Sequence, residues 1–253
     1  MHDITLISIT IFFVTGAFAG MVDTIAGGGG LIAVPVMLMM GVPPVATLGT
    51  NRMQSVIGEV TASVRFYRSN HLNLKRLLPG IICTGLGGFA GSIVLALIHA
   101  AILSKLIPFL LLIILLYMAF SPRPNEEDCH PRLPDLVFFV GFGFAIGFYN
   151  GFFGPATGSF WVIALMFFLG MHLQRAVIHA KPLNTIGNLG SLVYLIAIGK
   201  VVYWIVLCMG AGQILGAILG SHIVMHRGSK FIKPFFIIVV MIMTISLFIE
   251  NYG

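Results

Sequence analysis

The sequence predicts an all-α polytopic membrane protein built from two homologous, inverted repeats. Three observations carry that prediction. Of 253 residues, 58% are hydrophobic and only 9% are Asp, Glu, Lys or Arg, against roughly 25% charged in an ordinary soluble domain. The mean hydropathy of +1.03 leaves too little polar surface to coat a globule, so most of the exterior must face hydrocarbon. The third observation is that a series of motifs in the first half returns in the same order in the second.

The same numbers exclude other classes. A soluble core, a secreted disulfide scaffold and a disordered tail would each need many more charges or cysteines. Cys83 and Cys208 fall in apolar runs and Cys129 in an acidic loop, so no redox role follows. The net charge of +6 comes from basic residues scattered between apolar runs. They read as topology determinants, not as a nucleic-acid surface. No cofactor and no metal is expected.

The elements follow in order. Charge-free stretches run from Ile4 to Val22, Thr24 to Asn51, Leu77 to Ser104, Leu106 to Pro122, Leu136 to Gln174, Pro182 to Gly199, Val201 to His226 and Pro234 to Ile249. Most approach the ~20 residues a spanning helix requires. The first lacks a basic leader and a small-residue cleavage site, so it reads as a retained span and not a signal peptide. Two stretches contain polar, Gly-rich breaks: Asp23 to Gly30, followed by a short run to Gly41, and Asn150 to Gly158, followed by Ser159 to Gly170. Each glycine in a helix interior costs roughly 1 kcal/mol relative to Ala, so the helices should break there.

The repeat is read from four matches. Gly20 to Asp23 lies on Gly147 to Asn150, Asn51 to Gln54 on Lys181 to Asn184, Gly87 to Ser92 on Gly216 to Ser221, and Ser104 to Pro108 on Ser229 to Pro234. Residues 1–120 form the first repeat, 121–135 an acidic, Pro-rich linker and 136–253 the second repeat, with about five helical segments in each. Basic residues crowd one loop of the first repeat (Arg65, Arg68, Lys75, Arg76) and a non-equivalent loop of the second (Arg227, Lys230, Lys233). If both loops are cytoplasmic, the repeats are inverted, both termini lie outside and each broken pair is a hairpin returning to its own side. A parallel arrangement, with one segment per half miscounted, is the competing reading.

Interrupted segments at corresponding positions of two repeats point to a transporter binding site. Backbone N–H groups freed by a break cannot face lipid and must line a cavity. The helix N-termini near Gly30 and Gly158 carry positive dipole ends, and bare glycine lets an anion approach. The candidate solute residues are therefore Gly28, Gly29 and Gly30 with Asn51 and Gln54 in the first half, and Gly154, Thr157, Gly158, Lys181, Asn184 and Asn188 in the second. The competing role for Gly27 to Gly30 is close helix crossing. Gly87, Gly91, Gly216 and Gly220 read as packing residues. Lys181 would supply the cation an anion needs, or else be an interfacial anchor.

Asp23, Glu59 and His179 are the ion-coupling candidates, because ionisable groups inside a membrane are functional by default. Asp23 could instead be a helix N-cap, and Glu59 could instead pair with a basic residue such as Arg52.

Taken together, GMVDTIAGGGGLIAVPVMLMMGVPP, TNRMQ, GFYNGFFGPATGSFW, HAKPLN, Asn188 and GKV resemble the TauE/SafE family of sulfite exporters, and within it the branch of uncharacterised bacterial inner-membrane transporters. The resemblance covers nearly the whole chain. It implies multi-pass residence in a bacterial inner membrane and movement of sulfite, a sulfonate or a related organic anion, driven by an ion gradient with H+ as the candidate coupling ion. Asp23, Asn51, Lys181 and Asn184 match its motif positions. The expected function is a secondary anion transporter working by alternating access at the repeat interface, and the expected partners are a small anionic solute and the lipid bilayer. An anion channel, a lipid-interacting scaffold and an intramembrane hydrolase using Ser159 with His179 are the alternatives; no G-x-S-x-G surrounds Ser159.

Overall fold

The computed structural model describes residues 5–69, 72, 74–99, 101–102, 109 and 128–226. These form eight helices: α1 (Leu6–Ala26), α2 (Gly30–Met39), α3 (Pro44–Arg68), α4 (Leu74–Leu97), α5 (Asp135–Phe152), α6 (Thr157–Leu169), α7 (Leu173–Ala197) and α8 (Tyr203–His226). The fifth segment expected in each half, the loop carrying Arg227, Lys230 and Lys233, and the match of Ser104 to Pro108 with Ser229 to Pro234 lie outside the described residues.

Local chemistry sets the helix ends. Thr5 and Ser8 exchange backbone-to-hydroxyl hydrogen bonds of 3.0 and 3.1 Å in a capping box that starts α1. Gly27, with φ 76°, turns left-handed and closes α1 by donating to the Asp23 carbonyl. In the second break Gly154 has φ 96° and Ala156 has φ 65°, and α6 restarts at Thr157. Ala156 is a non-glycine residue in the left-handed region, a conformation that only a firmly packed surround sustains. Both breaks fall where the glycine runs predict them.

Four of the described helices, α1, α4, α5 and α8, are long and apolar enough to cross a bilayer. Their outer faces carry exposed Ile7, Leu78, Ile82, Leu86, Val137, Leu207 and Leu219, the surface a hydrocarbon solvent requires. At 25 residues each, α3 and α7 are also long enough. They are more polar because they carry the buried groups of the interior.

Each short helix doubles back to the end where its hairpin began. Met40 to Pro43, after α2, sit beside Thr5, Ser8 and Phe12 and beside the start of α8 at Val202 to Ile205, around a cavity of about 410 Å³. In the second hairpin Cys129 and Arg132, before α5, donate backbone hydrogen bonds of 2.7 and 2.8 Å to Gly170 and Phe168 at the end of α6. The two hairpins open at different ends of the bundle. The first opens beside the start of α8; the second opens beside the start of α4, where Arg76 pairs with Asp135 at 2.5 Å. The far end of α8 also lies there, with Gln174 donating to Val224 O at 3.0 Å.

Packing between the halves is reciprocal. α1 packs along α8, and α4 packs along α5. A Cβ on Gly216 would fall 2.6 Å from Met21 N, and one on Gly87 would fall 2.7 Å from Phe148 N; Met21 and Phe148 are the residues that the match of Gly20 with Gly147 aligns. Gly87, Gly91, Gly216 and Gly220 all lie against the neighbouring helix, as packing glycines should.

The same test corrects the alignment of α3 with α7. Gly58 lies against Gln213, its virtual Cβ 3.3 Å from the Gln213 Cβ, and Gly187 lies against Thr84 at 3.1 Å. Gln213 and Thr84 stand in equivalent positions before Gly216 and Gly87, so Gly58 matches Gly187. Counting back along the two helices sets Arg52, not Asn51, opposite Lys181.

Candidate functional site

The two breaks meet back to back inside the bundle. A Cβ on Gly158 would fall 2.5 Å from Gly27 Cα, so no side chain fits on either residue at this crossing. Ser159 ties the breaks together: its N–H donates to Gly27 O at 3.2 Å, and its hydroxyl donates to Ala26 O at 2.6 Å. The N-terminus of α2 faces the second break, since a Cβ on Gly30 would lie 3.2 Å from Pro155 Cα and 3.1 Å from Asn51 Nδ2. The positive dipole ends of α2 and α6 therefore start from one shared centre.

Two buried cations reach into it, one from each half. Lys181 on α7 is 1% exposed and pairs with the Asp23 carboxylate of α1 at 2.9 Å, while its Nζ also donates to the Asp23 carbonyl. Arg52 on α3 is fully buried and donates to the carbonyls of Asn150 and Gly151, at 2.7 and 2.6 Å, at the end of α5. Arg52 thus satisfies carbonyls left over at the end of the other half's broken helix, whereas the Asp23 carbonyl that Lys181 holds also accepts from Gly27 N. Arg52 also donates to Leu48 O at 2.8 Å, and its Nε has no partner among the described residues.

Glu59 sits on α3, buried, among amides. Asn184 donates to its Oε1 at 2.5 Å, and Asn188 donates to Oε1 and Oε2 at 3.0 and 3.1 Å. Asn150 extends the chain, donating to Asn184 Oδ1 at 3.2 Å. The i,i+4 spacing of Asn184 and Asn188 aims both at one carboxylate. Gln54 donates to Asn51 Oδ1 at 2.9 Å and accepts from Gln213 on α8 at 2.5 Å.

Several sequence readings change here. Asp23 is no N-cap: it lies inside α1, pairs with Lys181, and accepts from Gly29 N at 3.3 Å. Glu59 does not pair with Arg52, which binds carbonyl oxygens instead. Lys181 is neither a free cation nor an interfacial anchor, because Asp23 neutralises it in the interior. Gly29, which caps α2, lies against α1: a Cβ on it would fall 2.7 Å from Asp23 Cβ, and Gly28 is buried. Thr157 serves the break locally by donating to Gly154 O at 2.6 Å. His179 Nδ1 bonds Arg175 O at 2.8 Å and the Ser159 hydroxyl donates to Ala26 O, so the two make no hydrogen bond of a nucleophile with its base.

The residues that sequence reasoning left out of the site are Arg52, Asn150, Gln213 and Ser159. The match of Gly58 with Gly187 was the signal that would have found Arg52 as the counterpart of Lys181.

At the end where the second hairpin opens, Asp128 accepts from the His172 N–H and from Arg175 NH1, both at 2.7 Å. Burial alone would raise its pKa. The His172 backbone and ring bonds and the Arg175 guanidinium outweigh that and hold it down to about 2.

Comparison with known proteins accords with this architecture. Residues 12–247 match the family model described as sulfite exporter TauE/SafE. The chain is 38% identical over 247 residues to a probable membrane transporter protein of Sinorhizobium, covering 98% of this chain and 95% of the relative. It is 40% identical over 242 residues to a probable membrane transporter protein of Haemophilus influenzae, covering 96% and 95%. It is 36% identical over 243 residues to the probable membrane transporter YfcA of Escherichia coli, covering 96% and 90%. No solved structure matches the chain. It belongs to the TauE/SafE sulfite exporter family of membrane transporters and is a multi-pass membrane protein.

Proposed function

We propose that the protein is a secondary transporter of a small anion, sulfite, a sulfonate or a related organic anion, across a bacterial inner membrane. It works by alternating access between two inverted repeats, residues 1–120 and 136–253, with H+ as the coupling ion. The observation that carries this reading is the meeting of the two breaks at Gly27 and Gly158, which brings two helix N-termini and two buried cations to one place. Such a place attracts an anion by partial charge and offers it backbone N–H donors. Solute contacts fall to Gly28, Gly30 and Gly158 through their backbone, and to Asn51, Gln54, Asn184 and Asn188 through their amides, whereas the N–H groups of Gly29 and Thr157 are held by Asp23 and Gly154.

The opposite openings of the two hairpins support inversion, as does the reciprocal packing of α1 on α8 and α4 on α5. The ion pairs Arg76–Asp135 and Arg175–Asp128 tie the end where the second hairpin opens, which suits a carrier closed to that side. Proteoliposomes preloaded with unlabelled sulfite test the reading. Saturable counterflow of labelled sulfite or methanesulfonate is the expected result. Flux that dissipates a gradient without counterflow would make the protein a channel.

A further inference from the structure

Among the described residues the buried formal charges of the interior are four: Asp23, Arg52, Glu59 and Lys181. They sum to zero, but they do not pair off. Lys181 and Asp23 neutralise one another at 2.9 Å. Arg52 meets only carbonyl oxygens and keeps an unpartnered Nε. Glu59 meets only amides of Asn184 and Asn188. One cation and one anion are thus left without a salt-bridge partner, on the same helix and two turns apart. From the neighbouring helices, the ionisable groups acting on Glu59 are Asp23 of α1 and Lys181 of α7. Against α3, α8 sets the neutral Gln213, and α2 contains no ionisable residue.

A buried region of low polarity resists any change in its net charge. An anion entering alone would leave this interior with one excess negative charge, and a proton entering alone would leave one excess positive charge. Together they leave it neutral. We propose that Glu59 is the coupling-proton site and Arg52 the cation that takes the solute, so that one proton binds with each monovalent anion. This rests on the anion-transport reading above. The proton comes from water and goes to Oε2: Oε1 already accepts from both Asn184 and Asn188, whereas Oε2 accepts one bond only. Protonated Glu59 is neutral, and the charge of Arg52, two turns away, is then free to be balanced by the solute. The anion alone or the proton alone is disfavoured, which is what obligatory coupling requires.

The test is calorimetric titration of the purified protein with methanesulfonate between pH 5 and 10, in buffers of different ionisation enthalpy. A sulfonate stays ionised throughout this range, so any proton taken up belongs to the protein. We expect proton uptake per anion bound to rise from near zero below the Glu59 transition to about one above it, with affinity independent of pH below that transition and falling about tenfold per pH unit above it. Glu59→Gln mimics the protonated side chain: it should bind methanesulfonate with a pH-independent affinity, take up no proton, and carry anion flux that no longer responds to a pH gradient. Arg52→Gln should lose anion binding. Wild-type binding without proton uptake at any pH across this range, or uptake that persists in Glu59→Gln, overturns the proposal while leaving anion transport standing. If Glu59→Gln does not fold, the proton count on the wild type still decides whether coupling exists, and Glu59→Asp, which keeps the charge, must keep the count. Failure of both methanesulfonate and sulfite to bind the wild type would overturn the anion reading itself. Where sulfite alone binds, the count is made after subtracting the proton that sulfite itself exchanges with buffer.

Discussion

Lys181 Nζ lies 2.9 Å from the Asp23 carboxylate, joining α7 of the second half to the last turn of α1 in the first. The pair also fixes where α1 stops, because Lys181 holds the Asp23 carbonyl and Asp23 holds Gly29 N. Its loss should be felt as stability before it is felt as affinity.

Removing Lys181 alone strands a buried carboxylate, and breaking a buried pair costs about 3–5 kcal/mol. Lys181→Gln should therefore lower the unfolding midpoint in detergent strongly, and Asp23→Asn should do the same. The double variant should recover most of the loss. Equal additive losses in a double-mutant cycle would show that the two residues do not act as a pair.

The crossing of the breaks gives a second prediction. Gly27→Ala combines a left-handed backbone, φ 76°, with a Cβ that would overlap the Gly158 backbone, so it should reduce folded yield severely. Gly141→Ala, in α5 with nothing within 4 Å of the added methyl, should be neutral or stabilising by up to about 1 kcal/mol. Size-exclusion profiles and thermal midpoints of the two variants compare them directly. Equal behaviour would remove the close crossing as the reason for glycine.

Basic residues mark one end of the bundle. Arg65, Arg68, Lys75, Arg76 and Arg175 lie where the second hairpin opens, whereas Lys200 lies at the other end. The positive-inside rule predicts that the first end faces the cytoplasm. Cysteines introduced at Arg68 and His226 should label from the cytoplasmic side, and cysteines at Thr5 and Lys200 from the outside. Labelling of Arg68 and Lys200 positions, at the equivalent ends of α3 and α7, from the same side would refute inversion.

Asp128 supplies a pH dependence with a definite sign. Its pKa is held down to about 2, so its contribution is complete above the ordinary carboxylate range near 4 and disappears as pH falls from there toward 2. Asp128→Asn should unfold at a lower temperature than wild type at pH 5 to 7, with the two curves converging near pH 2. A constant gap across that interval would mean that the bonds to His172 and Arg175 contribute nothing.

Much of the architecture was legible in the chain. The low charge and the long apolar stretches required helices in lipid, and four consecutive glycines at Gly27 to Gly30 required a break, because no partner in the sequence offsets their conformational cost. The match of Gly20 with Gly147 and of Gly87 with Gly216 located helices that pack on one another, since close crossing demands the smallest residue at fixed spacing. Asn184 and Asn188 were legible as one helix face by their separation alone.

What only the tertiary structure decided was which polar groups meet. Asp23 and Lys181, Arg52 and Asn150, and Glu59 and Asn188 come from helices far apart in the chain, and a buried charge can be satisfied by a carboxylate, an amide or a carbonyl with no trace in local sequence. The one-residue slip that set Asn51 rather than Arg52 opposite Lys181 has the same origin. Polar motifs align by similarity of residue type, whereas packing aligns by contact, and it was the contacts of Gly58 and Gly187 that fixed the register. The chain determined that the interior would hold charges. The fold determined that Asp23 and Lys181 pair, while carbonyl oxygens meet Arg52 and amides meet Glu59.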